Sequence, residues 1–335
     1  MAANHHIKAL EEKVFSALTS RSFNGLALEI FHYQLRHNPV YRKYVSYLGV
    51  DTDRISSFRD IPFLPITFYK SQRVVCGDFV NGIVFSSSGT GEGPVSRHYV
   101  RDPALYIKSF TQSFSAFYGD PAEYCILALL PSYLEREGSS LIYMVSRLME
   151  AGRHPLSGFF LYEHEKLAVR LGELIHSDRK TLLLGVSYAL LDFADGQKFS
   201  GGENLIVMET GGMKGRREEI TREELHRTLG KAFHKEDIHS EYGMTELLSQ
   251  AYSRGGGRFI TPPWMKVLIR DIQDPFSILP PGATGAINIV DLANIHSCAF
   301  IETQDIGKIH PDGSFEVLGR TDSSDIRGCS LLINP

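Results

Sequence analysis

Two short stretches of the chain carry the residue types that phosphate chemistry needs. Ser86-Ser87-Ser88-Gly89-Thr90-Gly91-Glu92-Gly93-Pro94 gathers hydroxyls and glycines, and Tyr242-Gly243-Met244-Thr245-Glu246 sets an aromatic ring, a hydroxyl and a carboxylate close together. In a Ser/Thr/Gly turn, hydroxyls and backbone N–H groups can reach phosphate oxygens, because glycine lets the backbone approach without a Cβ clash. Ser87, Ser88, Gly89, Thr90 and Gly91 are therefore candidate phosphate ligands. A phosphate cradle beside an acidic residue suits ATP-dependent activation of a carboxylate. Attack of the carboxylate on the α-phosphate turns its oxygen into a good leaving group, and catalysis is then mostly stabilisation of charge. Neither stretch suffices alone: Ser/Gly runs are usually solvated loops, and short strings recur by chance.

The elements around them decide whether such a site can form. Gly82-Ile83-Val84-Phe85 reads as a short buried strand, so the Ser/Gly turn should leave a sheet edge, where α/β proteins bind ligands. Residues up to about Asp60 carry helical stripes, Leu10, Val14 and Leu18, then Leu28, Phe31 and Leu35. Ile61-Pro62-Phe63-Leu64-Pro65 breaks that pattern. Helical patterns over 104–117, 139–152 and 163–175 alternate with strands over 124–130, 181–185 and 205–208, the last ending at Thr210-Gly211-Gly212. This alternation predicts a mostly parallel sheet covered on both faces. After Arg254-Gly255-Gly256-Gly257, β-branched runs at 266–270, 286–290 and 315–318 predict an antiparallel β lobe. The expected organisation is one large domain over 1–335, with helical and α/β sub-lobes in 1–254 and a β-rich sub-lobe with a hinge-like tail in 255–335.

Composition narrows the class. The 335 residues are 43% hydrophobic, ample for a large core, and a net charge of -4 argues against general nucleic-acid binding. The most apolar segment, Thr181 to Phe193, is too short to span a bilayer and contains Gly185 and Ser187. Met1 to Phe15 lacks an apolar signal core, so a cytoplasmic protein with no membrane span is expected. Cys76, Cys125, Cys298 and Cys329 form no C-x-x-C pair, and the 13 histidines include no H-E-x-x-H, so neither a disulfide framework nor a transition metal is expected.

Tyr242-Gly243-Met244-Thr245-Glu246 resembles the adenine-loop motif of the adenylate-forming superfamily, which includes acyl-CoA synthetases, nonribosomal-peptide adenylation domains and firefly-type luciferases. Further motifs follow in that superfamily's order. Gly282-Ala283-Thr284-Gly285-Ala286-Ile287 resembles its G-x-x-G-x-I turn, Glu302-Thr303-Gln304-Asp305 its T-G-D segment, and Gly319-Arg320-Thr321-Asp322 its G-R-x-D hinge. Such enzymes generally continue past the hinge into a lid domain, whereas this chain stops at Pro335, shortly after Cys329. With Thr210-Gly211-Gly212-Met213-Lys214-Gly215-Arg216 ahead of the adenine loop, it looks like the LuxE-type acyl-protein synthetase family.

The resemblance implies an α/β adenylate-forming large domain, layered parallel sheets with helices plus a C-terminal β lobe, and no C-terminal lid domain. It implies that Tyr242 stacks on adenine, Gly243 and Met244 complete that loop, Thr245 contacts phosphate, and Glu246 binds magnesium (Mg2+) accompanying ATP. Gly211 and Gly212 would lie against the base, and Asp305 would hold the ribose with Arg320 nearby. The family pattern S-G-T-T-G-x-P-K is not fully met: Gly91, Glu92 and Val95 replace its Thr, Gly and Lys. Arg97 and Lys214 are the candidate substitutes for that lysine, and Gln304 stands where T-G-D has glycine. By placement Cys329 would capture the acyl group, with Arg327 able to lower its thiol pKa. The implied partners are a fatty or other carboxylic acid and a reductase or acyltransferase that receives the acyl group.

Competing readings stay open. Tyr242 could be a core aromatic and Glu246 the cap of a helix starting near Thr245; Asp305 could be an exposed turn residue, Arg320 a solvated hinge residue, Cys329 a structural thiol. Gly185-Val186-Ser187-Tyr188-Ala189 follows a strand and resembles the G-x-S-x-G nucleophile elbow with Ala189 at the second glycine, which would suit a serine acyltransferase or hydrolase using Asp237 and His239, or Asp291 and His296. Otherwise Ser187 and Tyr188, with Tyr133, Phe159 and Phe160, are candidates for an acyl pocket. Coenzyme A as acceptor and a non-catalytic nucleotide-binding scaffold are two further alternatives.

Overall fold

The computed structural model describes residues 2–16, 18–87, 94–131, 137–196, 199–213, 217–218 and 220–321, with side chains from residue 7 onward. Its helices are α1 (Ala2–Val14), α2 (Ser20–His37), α3 (Pro39–Tyr47), α4 (Phe68–Ser71), α5 (Pro103–Tyr118), α6 (Ser140–Gly152), α7 (His164–Ile175), α8 (Ser187–Ala194) and α9 (Arg222–Phe233). The strands are β1 (Leu64–Pro65), β2 (Ile83–Ser86), β3 (Arg97–Val100), β4 (Tyr124–Leu129), β5 (Gly158–Phe160), β6 (Lys180–Val186), β7 (Leu205–Thr210), β8 (His239–Tyr242), β9 (Ala251–Ser253), β10 (Met265–Arg270), β11 (Thr284–Asp291), β12 (Phe300–Ile309) and β13 (Phe315–Arg320).

Side chains that satisfy orphan backbone groups start the helices. Asp102 accepts from Ala104 N ahead of Pro103, Ser139 from Ile142 N, and Thr221 from Glu224 N. Helices cover a six-stranded sheet of order β5-β4-β6-β7-β8-β9, parallel throughout except for β9. Every residue of β4 is buried, as a strand covered on both faces requires.

A second sheet runs β1-β12-β11-β10, with β13 added on β12. The predicted antiparallel lobe is therefore present as β10–β13, and it also recruits a distant piece, since β1 pairs in parallel with β12 through Leu64 and Ile301. Polar hooks reinforce that join. Gln34 Nε2 donates to the carbonyls of Asn294 and Ile295 at 2.9 Å each, Gln34 Oε1 accepts from Ala299 N at 3.0 Å, and Asn38 Nδ2 donates to Ser297 O at 2.9 Å. A two-stranded hairpin, β2–β3, pairs Ser86 with Arg97 on either side of the Ser/Gly turn. Among the described residues no helix is long and apolar enough to cross a membrane.

Candidate active site

A cleft of about 2010 Å³ is lined from both sheets and from the hairpin. Ser87, Gly211, Gly212, Tyr242, Gly243, Met244, Thr245, Glu246, Asp305 and Arg320, separated by up to 233 positions (320 − 87), all line it. Arg97 does not: it is exposed on β3 and absent from the cleft wall. Ser88, Gly89, Thr90, Gly91, Lys214 and Cys329 lie outside the described residues.

The geometry excludes several bland readings. Tyr242 Oη donates to Asp305 Oδ2 at 2.7 Å, and Asp305 Oδ1 meets Arg320 Nε at 3.2 Å. Asp305 is 8% exposed, so it is not a solvated turn residue, and its carboxyl is pushed up by burial against the opposing effects of Arg320 and Tyr242. Arg320 is largely exposed yet held at the cleft rim by that ion pair. The Tyr242 ring packs 5.5 Å from Phe315 and 5.8 Å from Phe259 while lining the cleft. No helix begins near Thr245, so Glu246 is not a cap. It is 4% exposed, and burial pushes its carboxyl up although Ser96 hydrogen-bonds to it.

A buried network that the sequence did not announce holds the 244–249 loop. His98 Nδ1 donates to Thr245 O at 2.8 Å, and its Nε2 lies 3.1 Å from Asn294 Oδ1. Burial pushes His98 down to about 4. Asn294 Nδ2 donates to Glu246 O at 2.8 Å, and Asp291 accepts from the N–H groups of Leu248 and Ser249 and from the Ser249 hydroxyl. The hairpin strand that carries the Ser/Gly turn is thereby tied to the loop bearing Thr245 and Glu246. Gly243 sits close against its neighbour: a Cβ there would lie 2.5 Å from Glu241 Oε1 and would push that carboxylate aside.

Four cleft residues also escaped sequence reasoning: Glu209, Glu241, Arg222 and Gln250. Glu209 Oε1 pairs with Arg222 Nε at 3.2 Å, and its Oε2 accepts from Ser187 Oγ at 3.1 Å. Arg222 also donates to Val317 O at 3.0 Å and stands over the Phe259 ring, so it links the first sheet to β13. The nucleophile-elbow reading fails here. Ser187 does open α8 directly after β6, but among the described residues its hydroxyl is held by Glu209 and Gly211 O, not by a histidine. His239 is bonded to Tyr118 and His296 to Glu11. Phe160 and Tyr188 are core, and neither they nor Phe159 line the cleft, whereas Ser187 does; Tyr133 lies outside the described residues. Tyr106, Leu141 and Met144 form the apolar wall in their place.

The comparisons with known proteins agree with this geometry. The model of a family described as "Acyl-protein synthetase, LuxE" matches residues 161–335. A "Long-chain-fatty-acid--luciferin-component ligase" from Vibrio harveyi is 25% identical over 345 aligned positions, covering 95% of this chain and 87% of its own. ATP-bound MatB from Rhodopseudomonas palustris superposes with a TM-score of 0.54 at 16% identity, over 84% of this chain and 58% of MatB. A 2-hydroxyisobutyryl-CoA ligase in complex with 2-HIB-AMP and CoA gives a TM-score of 0.66 at 12% identity, over 90% of this chain and 70% of that one. The fold is thus the α/β fold of adenylate-forming enzymes, and this chain spans a little over half the length of MatB.

Proposed function

Because this chain belongs to the acyl-protein synthetase (LuxE) family, we propose that it activates a fatty or other acyl carboxylate as acyl-AMP and passes the acyl group to a protein thiol, its own Cys329. The observation that carries the first half is the convergence of Ser87, Gly211, Gly212, the 242–246 loop, Asp305 and Arg320 on one cleft. Tyr242 and the glycines receive adenine. Asp305, fixed by Tyr242 and Arg320, accepts the ribose hydroxyls. Ser87, with Ser88, Gly89, Thr90 and Gly91 beyond it and Thr245 opposite, cradles the phosphates, and Lys214, rather than Arg97 outside the cleft, supplies the cation that the turn lacks. Glu246 offers the single carboxylate that Mg2+ takes when phosphates provide other oxygens, and the bound ion would neutralise developing phosphate charge.

A carboxylate oxygen attacks the α-phosphorus and pyrophosphate leaves. The Cys329 thiolate then attacks the acyl carbonyl, expelling AMP. Thr321 is anchored through N–H and hydroxyl to Gln304 O at the cleft wall, and eight residues separate it from Cys329, a contour of at most about 29 Å. The name of the Vibrio harveyi relative supports a long-chain fatty acid as substrate. A reductase or acyltransferase that unloads the thioester is the matching partner, and the organisation into 1–254 and 255–335 sub-lobes goes with this reading.

Intact mass of the protein after incubation with ATP, Mg2+ and mixed acids tests it. An acyl-sized gain in wild type that is absent in Cys329→Ser supports self-acylation. Pyrophosphate release without a gain moves the acceptor to an external thiol, and no release leaves only a nucleotide-binding scaffold.

A further inference from the structure

The deep end of the cleft holds a polar cluster that nucleotide binding does not use. Thr210, Glu241 and Tyr252 are register neighbours across β7, β8 and β9, so they project from one face of the sheet. Glu241 is 7% exposed, and its one hydrogen-bonded partner among the described residues is Thr210, whose hydroxyl donates to Oε2 at 2.5 Å. Gln250, at the foot of β9, is 3% exposed and lines the same cleft as Glu241. Among the described residues the Gln250 amide oxygen and the Tyr252 hydroxyl have no hydrogen-bond partner. Tyr252 does not line the cleft, but Gln250 does; buried polar atoms are almost always paired, so an orphaned amide oxygen beside a buried acid in the cleft wall marks a place where something else supplies the partner. Tyr106, Leu141 and Met144 line the same cleft as Glu241 and Gln250.

If the acid's carboxylate meets the α-phosphate between Ser87 and Thr245, the rest of it extends past Gly243 into this end. A plain hydrocarbon would be wrong there. It would desolvate Glu241 and leave the Gln250 amide oxygen without a partner, whereas an acceptor-rich site built around a donor rejects the analogue that lacks it. We infer that the acid activated by this enzyme carries a hydrogen-bond donor on its chain, a hydroxyl or amino group, which Glu241 and Gln250 receive. This rests on the adenylation reading above. Glu241 and Gln250 thus act as specificity determinants, and Gly243 leaves the room that Glu241 fills.

The test is ATP–pyrophosphate exchange with acids matched in length, unsubstituted or carrying one hydroxyl or amino group walked along the chain. Wild type should favour a donor-bearing acid at one position by roughly tenfold or more in kcat/KM. Gln250→Leu should collapse that ratio while the KM for ATP reports an intact nucleotide site. Glu241→Gln, of the same shape, should retain the hydroxy acid and lose any amino acid, which tells the two donors apart. Equal or faster exchange with every unsubstituted chain, unmoved by Gln250→Leu, overturns the inference and leaves adenylation standing. Exchange with no acid at all overturns both.

Discussion

Glu209 and Glu241 are buried acids on adjacent parallel strands, and their fates differ because they face opposite sides of one sheet. Glu209 is in register with Ser240, whereas Glu241 is in register with Thr210. On its side Glu209 meets Arg222, His226 and Ser187. Burial pushes its carboxyl up, but the bond to His226, the Arg222 charge and Ser240 outweigh that and hold it below the ordinary range. Glu241 has Thr210 on its side; burial, with Glu209 adding to it, pushes Glu241 up to about 7. An acid with a full set of partners is part of the frame. One left short of partners, beside an open cleft, is placed for a ligand.

The largest expected effect breaks the comparison at its satisfied end. Glu209→Ala strands Arg222 beside a buried gap and should cost about 4 kcal/mol in denaturant unfolding, against about 1 kcal/mol for Glu241→Ala. Equal losses would mean that the two acids do the same job. The next effect is in pH. With a folded pKa near 7 against 4.5 unfolded, Glu241 keeps a proton in the native state that the unfolded chain gives up. Its contribution is full below pH 4.5 and is lost as pH rises through 7, so Glu241→Gln should be more stable than wild type at pH 8 by about 3 kcal/mol and little different at pH 4. Glu209, held low, has the opposite slope: its contribution is present above pH 4.5 and fades as pH falls, so Glu209→Gln should lose its disadvantage in acid.

Arg222→Lys replaces a fork that serves Glu209, Val317 O and the Phe259 face with a single point charge, and should cost about 2 kcal/mol. The smallest effect has the reverse sign. Gln250→Leu removes an orphaned amide oxygen and should raise stability by about 1 kcal/mol while damaging acid selection, the pattern expected of a residue kept for function.

Much of the frame could be read before the structure. Strands such as 124–129 are continuous apolar runs, and the 242–246 string with its downstream motifs named residues that the fold gathers on one cleft, because such motifs depend on local backbone geometry and residues in fixed order. The deep end was illegible for a physical reason. Glu209 and Glu241 are each one acidic letter inside a short strand, and their different roles depend on which neighbour strand they face and on Arg222, Tyr252 and Gln250 arriving from elsewhere. The only sequence trace was the acid itself, in Met208-Glu209-Thr210 and Ser240-Glu241-Tyr242, where a buried parallel strand would normally be apolar. The acyl-wall aromatics were misplaced for the same reason: Phe160 and Tyr188 are large and apolar, but burial alone does not say whether a side chain faces core or cleft.

The hooks of Gln34 and Asn38, and the pairing of Leu64 with Ile301, also govern how the molecule comes into being. Gln34 waits for partners 260 residues away. At ribosomal speeds of roughly 5–20 residues per second, the early helices exist for about 13–52 s before Asn294 is made. The central sheet from β4 to β9 can assemble during that interval, so the cleft's second wall is added last, and a chain cut short before residue 301 leaves its opening helices without the strand that anchors them.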